Sequence, residues 1–182
     1  MKDQLQVIFQ NGCYACFYIN KSNTTAFIFG KILGINDTQI AICMVSPEGD
    51  YDGVIVINID AIYRIEWDDL YSQDMKAKMK EKELPKTEVA FCDGDFFETL
   101  LDYSIAMKDV VTIEVMESGY EDLIGFVENK DDLFCTVRQI SKDGLPDGYS
   151  MIRLEDITQV CCESADEIQL KELFMGNAGT VL

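Results

Sequence analysis

The chain repeats itself, and that constrains its fold more than any other feature. Shifting the sequence by 95 residues lays Gly30 on Gly125, Asp37 on Asp132, Ser46 on Ser141, Gly49 on Gly144 and Asp52-Gly53 on Asp147-Gly148, without a gap. Ile57 then meets Ile152 and Ile62 meets Ile157, with conservative pairs such as Ile32 with Val127, Ile42 with Val137 and Val45 with Ile140 between them. Overall identity is low, but the matches fall on turn glycines and alternating apolar positions, which are the positions a fold constrains. Two copies of one domain are therefore expected. The first runs over 1–83 with a trailing helix, a linker follows at 84–93, the second copy with its trailing helix spans 94–176, and a frayed tail covers 177–182.

Within each copy the hydrophobic period is mostly two. Val111, Ile113 and Val115 alternate with polar neighbours, residues 133–137 are rich in β-formers, and Ser150, Ile152 and Leu154 share a face. Polar turns at 117–119, 129–132 and 141–148 separate these runs, and Ile157 to Cys161 makes a fifth strand. Five strands in about 55 residues are too few for a broad sandwich and close most easily into a small, bent barrel. Helices flank the strands. Leu5 to Phe9 precedes the first set, and Phe96, Phe97, Leu100, Leu101, Ser104 and Ile105 form one helical face before the second, started by Asp93 or Gly94. The trailing helices are Asp68 to Glu83, with a Tyr71/Met75/Met79 stripe closed by Pro85, and the segment opened by the capping box Ser164/Glu167 and followed by Ile168, Leu170, Leu173 and Phe174.

A helix followed by five bent strands, with a glycine in the second strand, a hydrophobic residue two further on and an Asp at the following turn, resembles the Sm-like (LSm) fold. The stretch VVTIEVMESGYEDLIGFVENKDDLF is similar to the first Sm motif, with Gly125, Val127 and Asp131 at the family's positions and Gly30, Ile32 and Asn36 at the same places in the first copy. The pattern is shared by other SH3-like barrels, including the PRC barrel. The fold class implied is mainly β with flanking helices, as two tandem five-stranded Sm-like or SH3-like barrels. The family's RNA pocket does not carry over. Its asparagine falls at Ile40 and Cys135, and its basic Arg-Gly turn is replaced by Asn58-Ile59-Asp60-Ala61 and by Arg153-Leu154-Glu155-Asp156. Edge-to-edge association through outer strands is what the resemblance permits and what an unpaired strand edge favours.

Charge and missing residue types narrow the function further. With 15 basic against 33 acidic residues, a net charge of −18 repels a phosphate backbone and suits a basic or apolar protein surface. Histidine is absent, which removes the commonest general base and the commonest metal ligand and argues against an enzyme. No apolar run approaches the roughly 20 residues that span a bilayer. MKDQLQVIFQ is polar where a secretion signal is basic and then apolar, so a cytoplasmic protein without membrane contact is expected. Seven cysteines without framework spacing are expected as reduced, core-like thiols.

Specific motifs carry little chemistry. The pair Cys13-x-x-Cys16 meets a strand rather than a helix N-terminus, and Cys16 aligns with core-like Val111, so packing is the expected role. Of Cys161 and Cys162, adjacent on a strand, one is expected in the core and the other more exposed. In SPEGDYDG (46–53), carboxylates at Glu48, Asp50 and Asp52 resemble the start of a calcium loop, but the twelfth position from Glu48 is the apolar Ile59, so the stretch is turn chemistry. Lys76, Lys78, Lys80, Lys82 and Lys86, interrupted by Glu81 and Glu83, are expected as a solvated helix face. Neither a metal nor any other cofactor is expected.

The residues nominated for an interaction surface are Tyr51, Tyr63, Trp67 and Arg153. The expectation is a non-enzymatic protein-interaction or assembly module that binds a protein partner or itself through barrel edge strands. The alternative is an atypical Sm-like RNA-binding regulator. A third possibility, metal-dependent hydrolysis, would need acids converging from distant loops.

Overall fold

The computed structural model describes residues 1–79 and 88–178. Lys80, Lys82, Lys86, Glu81, Glu83, Pro85 and residues 84–87 of the expected 84–93 linker lie outside these residues, as do 179–182 of the tail. The described residues are mainly antiparallel β with four α-helices, and the chain divides into two compact units, Met1–Phe96 and Phe97–Leu182. Among the described residues no helix is long and apolar enough to cross a membrane.

In the first unit, α1 (Lys2–Gln10) precedes β1 (Tyr14–Tyr18), β2 (Ile28–Ile35), β3 (Gln39–Val45), β4 (Tyr51–Asn58) and β5 (Arg64–Trp67), and α2 (Leu70–Met79) follows. The sheet order is β5-β1-β2-β3-β4, and β4 and β5 are joined by a 3₁₀ turn, Ile59–Ala61. Leu5 and Ile8 of α1 are buried, while Met75 and Met79 of α2 cover Cys16, Tyr18, Phe29 and Val45, as the 3.6-residue stripe predicts. Within the same unit Phe91 and Phe96 meet ring to ring at 5.3 Å, and Gly34 leaves the room that Phe91 occupies. Buried Gln39 accepts the Phe96 N–H at 2.7 Å and donates to the Asp95 carboxylate at 2.8 Å.

In the second unit, α3 (Phe96–Met107) precedes β6 (Val110–Val115), β7 (Leu123–Lys130), β8 (Phe134–Ile140), β9 (Pro146–Arg153) and β10 (Ile157–Cys162), and α4 (Ala165–Ala178) follows. The order is β10-β6-β7-β8-β9, and a 3₁₀ turn, Leu154–Asp156, joins the last two strands. Helix α3 buries Phe96, Phe97, Leu100, Leu101 and Ser104, one face as expected, although it starts at Phe96 rather than at Asp93 or Gly94. Strand β9 begins at Pro146, inside the stretch expected as turn, and α4 runs to Ala178, where the tail was expected to begin at 177.

Local details recur 95 positions apart. The register shifts between Ile32 and Gly34 and again between Val127 and Asn129; it shifts between Cys43 and Val45 and again between Arg138 and Ile140. Such bulges bend a strand and increase its twist. Asn36 Oδ1 accepts the N–H groups of Thr38 and Gln39, and Asp131 Oδ1 accepts those of Leu133 and Phe134. A Cβ on Gly30 would meet the Cys43 carbonyl oxygen at 2.2 Å, and one on Gly125 would meet the Arg138 carbonyl oxygen at 2.0 Å, so at both places two strands approach closely. The loops Ser46–Gly49 and Ser141–Gly144 close with the same Gly N–H to Ser carbonyl bond, at 2.9 and 2.8 Å.

One alignment needs correcting. Ala15 pairs with Gly30 and Val111 pairs with Gly125, so the connection from the first to the second strand is one residue longer in the first unit. Cys16 therefore corresponds to Thr112, not to Val111.

Candidate interaction surfaces

Among the described residues the strands without a buried residue are β5 and β9, and β9 is the more open, with six of its eight residues exposed. Its counterpart by position, β4, has five consecutive buried residues, Gly53–Ile57, where Val-Ile-Val-Ile fills both faces. Strand β9 pairs with β8 through Phe134↔Arg153, Thr136↔Met151 and Arg138↔Tyr149. Directly opposed residues of an antiparallel pair project from the same face, so Tyr149, Met151 and Arg153 stand beside Arg138, Thr136 and Phe134. Tyr149 and Met151 are each 68% exposed, far above what a covered sheet face allows.

Helix α4 lies over the inner part of this face. Phe174 meets Phe126 edge to face at 5.2 Å, and the Arg138 guanidinium sits 5.2 Å from both ring centres while its Nε lies 2.7 Å from Glu128 Oε1. The helix is anchored by its capping box. Glu167 Oε2 accepts the Ser164 N–H at 2.8 Å and Glu167 Oε1 accepts the Thr112 hydroxyl at 2.6 Å, with the Cys161 thiol 3.6 Å from the same carboxylate. The box is legible from Ser164 and Glu167, but the link to Thr112 is not, because it depends on which strand residue the helix start meets. Of the adjacent cysteines Cys162 is fully buried in the core, and Cys161, the more exposed of the two, is still buried, beneath Glu167.

The first unit carries an aromatic surface. Ring contacts run from Tyr14 to Phe29 (5.8 Å), to Tyr71 (5.4 Å), to Phe27 (5.1 Å), to Tyr18 (5.4 Å) and to Tyr63 (6.4 Å). Arg64 stands 4.4 Å from the Tyr18 ring centre and pairs with Glu66, whose other oxygen accepts the Tyr18 hydroxyl at 2.6 Å. Burial, then the Glu66 carboxylate, pushes Tyr18 up to about 12, while the Tyr18 hydroxyl and Arg64 hold Glu66 below its ordinary range. Cys16 is pushed up to about 12 by burial, with Asp69 and Glu66 adding to it. It is a protonated packing thiol at neutral pH rather than a nucleophile.

Of the nominated residues, Tyr51, Tyr63 and Trp67 belong to the first unit and Arg153 to the second. Tyr51 is half-buried at the start of β4. Tyr63 donates its hydroxyl to the Asn20 carbonyl at 3.3 Å and ends the aromatic chain. Trp67 sits on the other face of β5 from Arg64 and Glu66, because it pairs with Ala15 while they pair with Tyr18 and Cys16. Arg153 leans over the Phe134 ring at 5.8 Å and pairs with Glu155 at 3.1 Å. Sequence reasoning nominated Arg153 but missed Tyr149 and Met151, its neighbours on the same face. Within the lysine cluster, Lys76 pairs with Asp68 at 3.0 Å and Lys78 donates to the Pro47 carbonyl at 3.0 Å. Among the described residues no three His, Cys, Asp or Glu side chains are grouped to hold a metal ion.

No family model, no curated protein and no solved structure matches the chain.

Proposed function

We propose that the chain is two copies of one Sm-like or SH3-like barrel and works as a non-enzymatic protein-interaction or assembly module. The duplication is supported by the shared strand order, the bulges, the Asx turns and the close-approach glycines that recur 95 residues apart. A cytoplasmic setting is supported by seven free thiols, four of them buried.

The observation that carries the function is β9. It pairs with β8 alone among the described residues, buries nothing, and offers Tyr149 and Met151 to solvent. A strand with an unpaired side and apolar residues on one face is a template for strand addition, and proteins that are meant to stay monomeric blunt such edges. Lysine, a common blunting device, is missing from β9; its two charges, Asp147 and Arg153, stand near its ends, and its single proline stands at the first position.

The test is concentration-dependent mass by light scattering, with hydrogen exchange resolved over residues 146–153. Self-association, or capture of a partner strand, is expected to slow exchange of the β9 amides. A monomer at all concentrations whose β9 amides exchange freely in the presence of native lysate would sink the proposal, as would submicromolar, steeply salt-dependent RNA binding.

A further inference from the structure

We propose that the face of β9, together with α4, is a docking site for a basic amphipathic helix of another protein. This rests on reading the chain as an interaction module, but not on strand pairing at its edge.

The apolar part of the site draws on two elements that adjoin at one turn. Leu173 of α4 packs against Gly144, where a Cβ would come within 2.6 Å of the Leu173 Cβ, and Asn177 ties the helix to the same turn by donating to the Asp143 and Gly144 carbonyls at 3.0 and 3.1 Å. The next residue of the turn, Leu145, is 51% exposed. Phe174 stands over Arg138, the residue directly opposite Tyr149, so the helix borders the face from which Tyr149 and Met151 project. Leu145, Tyr149, Met151 and Leu173 are thus exposed apolar side chains on adjoining elements, a grouping of the kind that marks a binding surface.

The charge around it selects the partner. Asp143, Asp147 and Glu172 rim the patch, all are exposed, and none forms an ion pair among the described residues; the cations beside it are Lys142 of the same turn and Arg153 at the end of β9, which is paired with Glu155. The wider surroundings have the same sign, since residues 97–182 carry 18 acidic and 6 basic side chains. An apolar centre with an unpaired acidic rim fits a segment with apolar residues on one side and lysines or arginines flanking them. Spacing favours a helix. Residues two apart on a strand project about 6.7 Å apart, and residues four apart on a helix about 6 Å, so one helical stripe can meet both Tyr149 and Met151. Methionine adapts to the shape it meets.

The probe is a labelled Leu/Lys peptide of about 18 residues designed as an amphipathic helix, titrated by anisotropy against the full chain. An oligolysine of equal charge serves as control. Micromolar binding is expected, with oligolysine at least about tenfold weaker and Tyr149→Ser combined with Met151→Ser weakening the peptide by about tenfold or more. Asp143→Asn with Asp147→Asn should weaken binding at low salt. Glu117→Gln with Glu121→Gln, which removes the same charge from exposed positions before β7, should change it less than about twofold. No peptide binding, equal binding of oligolysine, or equal loss in the two charge variants would overturn the inference. Mass measurements without peptide keep the broader reading separate: self-association without peptide binding overturns this inference alone, and loss of both overturns both.

Discussion

Adding one methyl group at Gly125 tests whether the close approach of β7 and β8 is what holds the second unit's sheet. A Cβ there would lie 2.0 Å from the Arg138 carbonyl oxygen, 2.8 Å from its carbonyl carbon and 2.9 Å from Gln139 Cα. All three are backbone atoms of the paired strand, so no flexible side chain can yield, and relief requires the ladder between Gly125↔Gln139 and Phe126↔Arg138 to open. The cost of such overpacking is about 3 kcal/mol, the upper end of the usual range. Gly125 lies outside the left-handed region, so alanine loses nothing conformationally and restricts the unfolded chain, offsetting about 0.7 kcal/mol. Gly125→Ala should therefore destabilise by about 2 kcal/mol. Urea unfolding followed by far-UV circular dichroism should show a lower midpoint with an unchanged slope. Gly176→Ala is the control, because nothing lies within 4 Å of its Cβ position and the residue is helical; it should be neutral or slightly stabilising. A Gly125→Ala protein within about 0.5 kcal/mol of the parent would refute the reasoning, since two strands at the recorded distance have no room for the methyl group.

Two further outcomes follow from buried and turn carboxylates. Glu167→Ala leaves the buried Thr112 hydroxyl and the Ser164 N–H without their acceptor and should cost about 3 kcal/mol by urea unfolding, with Glu167→Gln, which keeps one acceptor oxygen, costing roughly half; equal and negligible losses would show the anchor to be unimportant. The Leu133 and Phe134 N–H groups hold the Asp131 carboxyl below its ordinary range, so its stabilisation is fully present above the unfolded value of about 3.9 and is lost as pH falls through the lower folded value. Asp131→Asn, the residue type found at Asn36, should preserve the turn and flatten that acid-side loss in a stability-against-pH series; an unchanged acid limb would contradict the assignment.

Much of the architecture was legible because it depends on local rules. Gly30 and Gly125 stand out as glycines inside strands, which signals a close approach, and Ser164 with Glu167 is a helix start on sequence grounds alone. The one-residue slip that set Cys16 against Val111 arose because an ungapped shift cannot register a lengthened loop between the first two strands, although strand pairing does. The burial of Cys161 was out of reach for a different reason. Alternation assigns it to the face opposite Cys162, but only the tertiary placement of Glu167 decides that this second face is covered as well.

Strand β9 shows where sequence patterning stops. Val54-Ile55-Val56-Ile57 reads as a continuously apolar strand, and such a run demands cover on both faces. Tyr149-Ser150-Met151-Ile152 reads as an alternating strand with one buried face, and the apolar members Tyr149 and Met151 look no different from residues lying beneath a helix. What separates them from buried residues is the reach of α4. Its Phe174 covers Phe126 and Arg138, while Leu173 is spent on the turn at Gly144, which leaves the β9 side of the same face uncovered. In the first unit the corresponding helix position to Leu173 is Lys78, whose ammonium reaches the Pro47 carbonyl instead of extending an apolar patch. Between positions 95 apart, the exposed face of the second unit thus goes with two differences, leucine where the first unit has lysine on the helix, and tyrosine and methionine where it has valine on the strand. Leu173 thereby does two things at once, since it packs on the turn at Gly144 and leaves part of its side chain exposed beside the uncovered strand.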